Sequence, residues 1–234
     1  MNFSLYDVSV WVIPLLFAIT FHEAAHAWAA KLGGDLTAYH GGQVTLDPRP
    51  HMRREPFGMV LLPLLSTALS GWPFGFASAP YDREWAMRHP RRAGWMAIAG
   101  PAANLAIVLV CGFAIRLGIA AGTLSSPDSA GFDHIVLATS DGAWVGVAFI
   151  LSVMFSLNLM LACLNMIPLP PLDGSAAVLL GLSETTARKY QELLMSSHAF
   201  GMMGLLVAWQ LFDLLYDPIF TAALNVLYPG AAYG

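Results

Sequence analysis

The chain has 234 residues, of which 57% are hydrophobic and only 11% charged, with a formal net charge of -4. Soluble domains carry about 25% charged residues, so a bilayer is the natural solvent for this composition, and the lack of a basic face excludes a nucleic-acid partner. Cys111 and Cys163 both sit inside apolar runs and read as small buried hydrophobes, which excludes a disulfide framework.

The stretch from Met1 to Val10 has no Lys or Arg, so the basic n-region of a signal peptide is missing and the first apolar run is expected to persist as a membrane helix. That run extends from about Val8 to Ala30, with a polar block at Thr20 to His26, and ends at Lys31, Gly33 and Gly34. A polar, Gly-rich stretch follows, in which Gln43, Val44, Thr45 and Leu46 suggest a short strand near the membrane surface. The second run, Phe57 to Phe76, is broken by Pro63, Gly71, Pro73 and Gly75. The third, Ala93 to Ala121, has Arg116 as its only charge, and the fourth, Ala143 to Leu164, has none. A short apolar piece, Ser175 to Leu182, precedes a last run, Ala199 to Tyr228, interrupted by Asp213, Asp217 and Pro218. The expected fold is an all-α polytopic membrane protein. It has about five to six transmembrane or re-entrant segments, each close to the bilayer thickness, and a short β-like membrane-associated segment after the first helix. It forms a single domain over residues 1–234, with a core at about 8–182 and a C-terminal helical segment at about 183–234.

Basic residues set the orientation. Lys31, Arg49, Arg53 and Arg54 lie between runs one and two, Arg83, Arg88, Arg91 and Arg92 between two and three, and Arg188 and Lys189 after run four. The Gly122 to Gly142 loop carries Asp128, Asp133 and Asp141 but no Lys or Arg, so it is placed outside and the basic loops in the cytoplasm. Run two, basic at both flanks, reads either as a re-entrant hairpin or as a kinked span.

Within run one, His22-Glu23-Ala24-Ala25-His26 forms an H-E-x-x-H pattern. Residues four apart share a helix face, so both imidazoles can grip one ion, with Glu23 placed to act on water beside it. Charged groups inside a span cost about 2.5–3.5 kcal/mol on insertion scales and need a partner or a task. A catalytic zinc takes three protein ligands and keeps one position open. The candidate third ligand is Asp173, in the segment Asn165 to Gly174, whose prolines must break the helix. If runs one and four both travel from outside to inside, His22, His26 and Asp173 fall at a similar depth. Zinc with Asp173 and Glu23 is then charge-neutral, which is far cheaper in low dielectric than an uncompensated ion. His40, His51, His89, His134 and His198 are isolated and read as surface or interfacial residues.

Together these residues resemble the site-2 protease family, zinc intramembrane metalloproteases of peptidase family M50. The carriers are Phe21-His22-Glu23-Ala24-Ala25-His26, the segment Asn165 to Gly174 as N-x-x-P-x-x-P-L-D-G, and Gly100-Pro101-Ala102-Ala103-Asn104 as G-P-x-x-N. The resemblance implies His22, His26 and Asp173 as ligands of one Zn2+ per chain and Glu23 as catalytic base. It also implies Asn104 and Asn165 as holders of substrate backbone or oxyanion; interhelical hydrogen bonding is the plain alternative for both. The implied activity is hydrolysis of peptide bonds in transmembrane protein substrates, inside the lipid bilayer of a bacterial cell (inner) membrane, by a multi-pass protein with its active site toward the cytoplasm. The Gly122 to Gly142 loop is too short for the PDZ domain of some members and the C-terminus too short for a CBS pair, and the family's turn usually carries Lys near Ser78. A membrane metal-ion transporter and an inactive substrate-binding homologue are the alternative readings.

Overall fold

The computed structural model describes residues 8–195, 198–231 and 233; residues 1–7, on which part of the N-terminal reading falls, and the side chain of His198 lie outside them. A π-type turn at Val8–Val12 leads into helix α1, Ile13–Gly33. Its 21 residues cover about 30 Å, the thickness of a bilayer's hydrocarbon core. It stops at Gly34, whose φ of 96° only glycine adopts readily and whose N–H returns to Ala30 O and Lys31 O. Short helices α2 (Thr37–His40) and α3 (Pro48–Arg54) follow.

Gln43 to Leu46 is a run of bends, not a strand. Local bonds consume its polar groups: Gln43 N–H donates to Ala38 O, Thr45 Oγ1 accepts from Asp47 N, and His51 Nε2 donates to Thr45 O. That last bond leaves His51 buried, not at the surface as its isolation in the sequence suggested. Among the described residues the one strand pair lies elsewhere, Leu124–Ser125 (β1) antiparallel to Leu137–Ala138 (β2), in register Leu124↔Ala138.

The second apolar run is a hairpin. A π-type turn, Phe57–Leu61, passes into α4 (Leu62–Ser70), which ends at Gly71 with φ 73°. The chain then returns in extended form, with Phe76 N–H donating to Gly58 O and Ser78 Oγ to Glu55 Oε1 at 2.8 Å. A Cβ at Gly58 would collide with Phe76 O, so glycine is what lets the limbs lie together. Trp72 at the tip packs on Trp11 and Phe132. The return limb ends at Asp82, whose N–H donates to Asp35 Oδ2 at 2.8 Å. Asp35 directly follows the end of α1, so everything between Asp35 and Asp82 starts and finishes at the same end of that helix.

Helix α5 (Arg83–Arg88) leads to α6 (Pro90–Ala120), and the β1–β2 loop leads to α7 (Ala143–Asn165). The prolines after Asn165 end α7, and the chain restarts as α8 (Asp173–Ala177) and a 3-10 turn, Val178–Gly181. An amphipathic helix α9 (Glu184–Met195) lies against α5 and the start of α6, with Gln191 Nε2 donating to Ala86 O of α5 and Ala187 packed with Trp85, Ala93 and Met96. The last helix, α10 (His198–Leu227), is continuous through Pro218, because membrane helices absorb a missing donor with neighbouring groups. Among the described residues four helices are long and apolar enough to cross a membrane: Ser9–Gly33, Pro90–Ala120, Ala143–Asn165 and Gly201–Leu227. One core cluster joins three of them, with Val108, Cys111 and Ile115 of α6 meeting Phe155 and Leu159 of α7 and Leu224 and Leu227 of α10, while Leu15, Ala18 and Ile19 of α1 pack with Met59 and Leu157 in another.

Candidate metal centre

Residues four apart on an α-helix stack on one face, and α1 places His22 directly beside His26, with their Nε2 atoms 3.0 Å apart. Asp173 arrives from the far side of the chain. Its Oδ2 lies 3.0 Å from His22 Nε2 and 3.2 Å from His26 Nε2. A glycine delivers it: a Cβ at Gly174 would collide with Met166 O, so the restarted helix could not fold back under the end of α7.

Hydrogen bonds fix which ring nitrogens carry protons. His22 Nδ1 is 2.6 Å from Asn104 Oδ1, and His26 Nδ1 is 2.7 Å from Met96 O. Both partners can only accept, so both Nδ1 atoms donate, and in the neutral rings both Nε2 atoms present bare lone pairs. Two lone pairs and a carboxylate oxygen at mutual distances of 3.0–3.2 Å repel one another unless a cation sits between them. A tetrahedral ion with bonds of about 2.0–2.1 Å separates its donors by about 3.3 Å, close to the triangle observed. The three residues therefore fit a metal ion, and among the described residues they are the one such group. The two His side chains are 8% and 6% exposed and Asp173 is 23%, so the site opens on the carboxylate side.

Helix α6 forms the back wall. A Cβ at Gly100 would collide with His26 Nε2 and lie 2.6 Å from His22 Nε2. Only hydrogen at this position leaves room for the imidazoles and an ion. Glu23, beside His22, is 5% exposed, and its Oε2 has no hydrogen-bond partner. A buried, unpaired carboxylate oxygen is expensive, and here it belongs to the residue next to candidate ligand His22.

Asn104 is fully buried, and both ends of its amide are engaged. Oδ1 accepts from His22, while Nδ2 donates to Asn158 Oδ1 at 2.8 Å; Asn158 Nδ2 in turn donates to Met154 O at 2.7 Å. Asn165 is separate from this relay, its Nδ2 bonded to Leu161 O of its own helix at 3.0 Å. The sequence reading passed over Gly100 as a close-approach residue and Asn158 as a support; their signals were a glycine in the middle of a membrane helix and an amide inside a charge-free span. Replacing Asn104 with Leu strips His22 of its acceptor and leaves the Asn158 amide oxygen without its donor. Metal affinity should fall about 10- to 100-fold, the usual cost of losing a group that orients a ligand, as read by competition with a chromogenic chelator.

A model of peptidase family M50 matches residues 10–208. YwhC of Bacillus subtilis (strain 168), provisionally named a zinc metalloprotease, is 36% identical over 166 residues, or 70% of this chain and 64% of its own. Rip2 of Mycobacterium tuberculosis (strain ATCC 25618 / H37Rv), provisionally named the same way, is 34% identical over 192 residues, covering 82% of this chain and 63% of its own. Rip2 of Mycolicibacterium smegmatis is 30% identical over 184 residues, covering 77% and 61%. The chain thus spans slightly less than two thirds of the length of these curated relatives. No solved structure matches significantly. Its match to the family model covers most of its length and includes the first histidine pair and Asp173, and on that ground the chain belongs to peptidase family M50.

Proposed function

We propose that this protein is a zinc-dependent endopeptidase that hydrolyses peptide bonds of transmembrane substrates within the membrane. The observation that carries the reading is the convergence of His22 Nε2, His26 Nε2 and Asp173 Oδ2 beside an unpaired, buried Glu23. His22, His26 and Asp173 would hold one zinc ion. Bound there, zinc supplies Lewis acidity, activating a water and polarising the scissile carbonyl. Glu23 takes the proton as the water oxygen bonds to the carbonyl carbon, and delivers it to the amine nitrogen as the C–N bond breaks. Asn104 acts as a positioning residue for His22, since neither end of its amide is free to meet substrate. Asn165, at the end of α7 and partly exposed, is the better placed of the two to meet a substrate backbone.

Basic residues at the Gly33, Arg54 and Arg92 ends support a reading in which that end of the bundle faces the cytoplasm of a bacterial cell. The Asp35–Asp82 closure supports a re-entrant hairpin as a fifth membrane-embedded segment, since Phe57–Ser70 spans only about 21 Å as a helix. Helix α10 packs on the Pro170 turn at Gly204, and Ala208 joins Ile167 and Leu172, which supports one structural unit including the C-terminal segment. A metal transporter would need ligands strung along a path, whereas the described ligand group sits at one depth.

Purified protein reconstituted with candidate single-span substrates should cleave them, lose activity on treatment with a zinc chelator, and regain it on adding back equimolar zinc. Undiminished cleavage by protein that elemental analysis shows to be metal-free would end this reading.

A further inference from the structure

A cleft of about 380 Å³ opens between the C-terminal end of α1 and the first turns of α6, lined by Ala29, Leu32, Gly33, Gly34, Arg92 and Trp95. Its volume falls within the range of about 300–1,000 Å³ seen for small-ligand sites. It is remote from the metal ligands in composition and shares none of them. We propose that it binds an anionic phospholipid, with the phosphate against Arg92 and the upper acyl chain against Leu32 and Trp95.

The cleft is graded in polarity along the helix axes. Its outer part is polar: Arg92 Nη1 donates to Gly33 O at 3.0 Å, which levels the guanidinium with the end of α1 and leaves its remaining donors uncommitted. One turn deeper on α6 is Trp95, 65% exposed, and one turn deeper on α1 is Ala29, with Leu32 at the rim 78% exposed. Three to four residues of helix separate the two levels, about 5 Å, close to the step from headgroup to acyl carbon. A tryptophan at that depth suits the interface, where its apolar body and N–H belong. Two glycines shape the floor: a Cβ at Gly33 would lie 2.8 Å from Trp85 Cζ2, and Gly34 holds φ 96°.

Charge favours an anion. A smaller recess beside the cleft is lined by Arg88, His89, Pro90, Arg91, Arg92 and Glu184. Arg88 is occupied by Asp82 and Glu84, and Glu184 is the one carboxylate set against Arg91 and Arg92 among its lining residues. Basic clusters at the cytoplasmic ends of membrane helices attract anionic headgroups. A free phosphate would use the polar level only and leave the apolar level, which faces the bilayer, without a role.

The test is native mass spectrometry of the full-length protein in detergent, titrated with dioleoyl phosphatidylglycerol or dioleoyl phosphatidylethanolamine. Wild type should retain the anionic lipid about fivefold better, the effect of one basic contact. Arg92→Gln removes the charge while Trp85 Nε1 still donates to Gly33 O at 3.0 Å, and it should bring the two lipids to parity. Leu32→Glu alters an exposed side chain and should do the same by placing a carboxylate in the cleft. Arg83→Gln, an exposed basic residue outside the cleft, should leave the preference intact. Equal retention by wild type, an equal loss from Arg83→Gln, a preference surviving both Arg92→Gln and Leu32→Glu, or its complete displacement by millimolar inorganic phosphate would each overturn the assignment.

Discussion

Glu23→Gln should abolish peptide-bond cleavage and leave the metal content at the wild-type level. The side chain keeps its volume, so α1 packs as before, and His22 and His26 keep their partners on Asn104 and Met96. What changes is one oxygen: Oε2, buried and without a partner, becomes an amide position that can no longer take a proton from water or give one to the departing amine. Loss of a general base costs about 100- to 10,000-fold, enough to put turnover below detection in a membrane assay. Elemental analysis and a cleavage assay on the same preparation separate the two properties. Normal turnover by the variant would remove Glu23 from the chemistry, and loss of metal would make it a structural support of the site instead.

Gly100→Ala has the second large effect, through a single methyl group. The new Cβ would occupy the space between the Nε2 atoms of His22 and His26. Either α6 backs away from α1, breaking the Asn104 bond to His22, or the imidazoles rotate out and abandon Met96 and Asp173. Both routes dismantle the ligand triangle, so metal affinity should fall on the order of 100-fold or more, beyond the usual loss from a supporting residue, and activity should fall with it. Gly112→Ala on the same helix meets nothing closer than 3.6 Å and should behave as wild type. Full metal content in Gly100→Ala would show that the two helices approach less closely than described.

The pairing of His22 with His26 was legible because four-residue spacing fixes a helical face regardless of tertiary structure. Asp173 was legible for a different reason: the orientation of the basic loops brought run four back to the depth of His22 before any fold was known. The course of Phe57–Ser70 was readable only as one of two options, since the bond that brings the ends of the surrounding loop together, Asp82 N–H to Asp35 Oδ2, joins residues far apart in sequence. Gln43 to Leu46 misled because its alternating residues favour extended backbone, yet a strand needs a partner, and Asp47, which caps α3, draws the chain into turns instead. Pro218 misled in the opposite direction, being read as a break where the helix runs through. For Asn104 the sequence allowed two roles, and only packing shows which atoms its amide meets.

The line of amides from His22 through Asn104 and Asn158 to Met154 O fastens α1, α6 and α7 together at a single level, like a pin through three rods. Sliding any one rod by a single residue, about 1.5 Å along its axis, would pull bonds of 2.6–2.8 Å out of reach and strand polar groups in hydrocarbon. These three therefore keep a fixed vertical register. Helix α10 has no share in the pin, and only 11% of its membrane-length window is buried; its tie to α6 lies at its far end, where Arg116 Nη1 donates to Leu227 O at 3.1 Å.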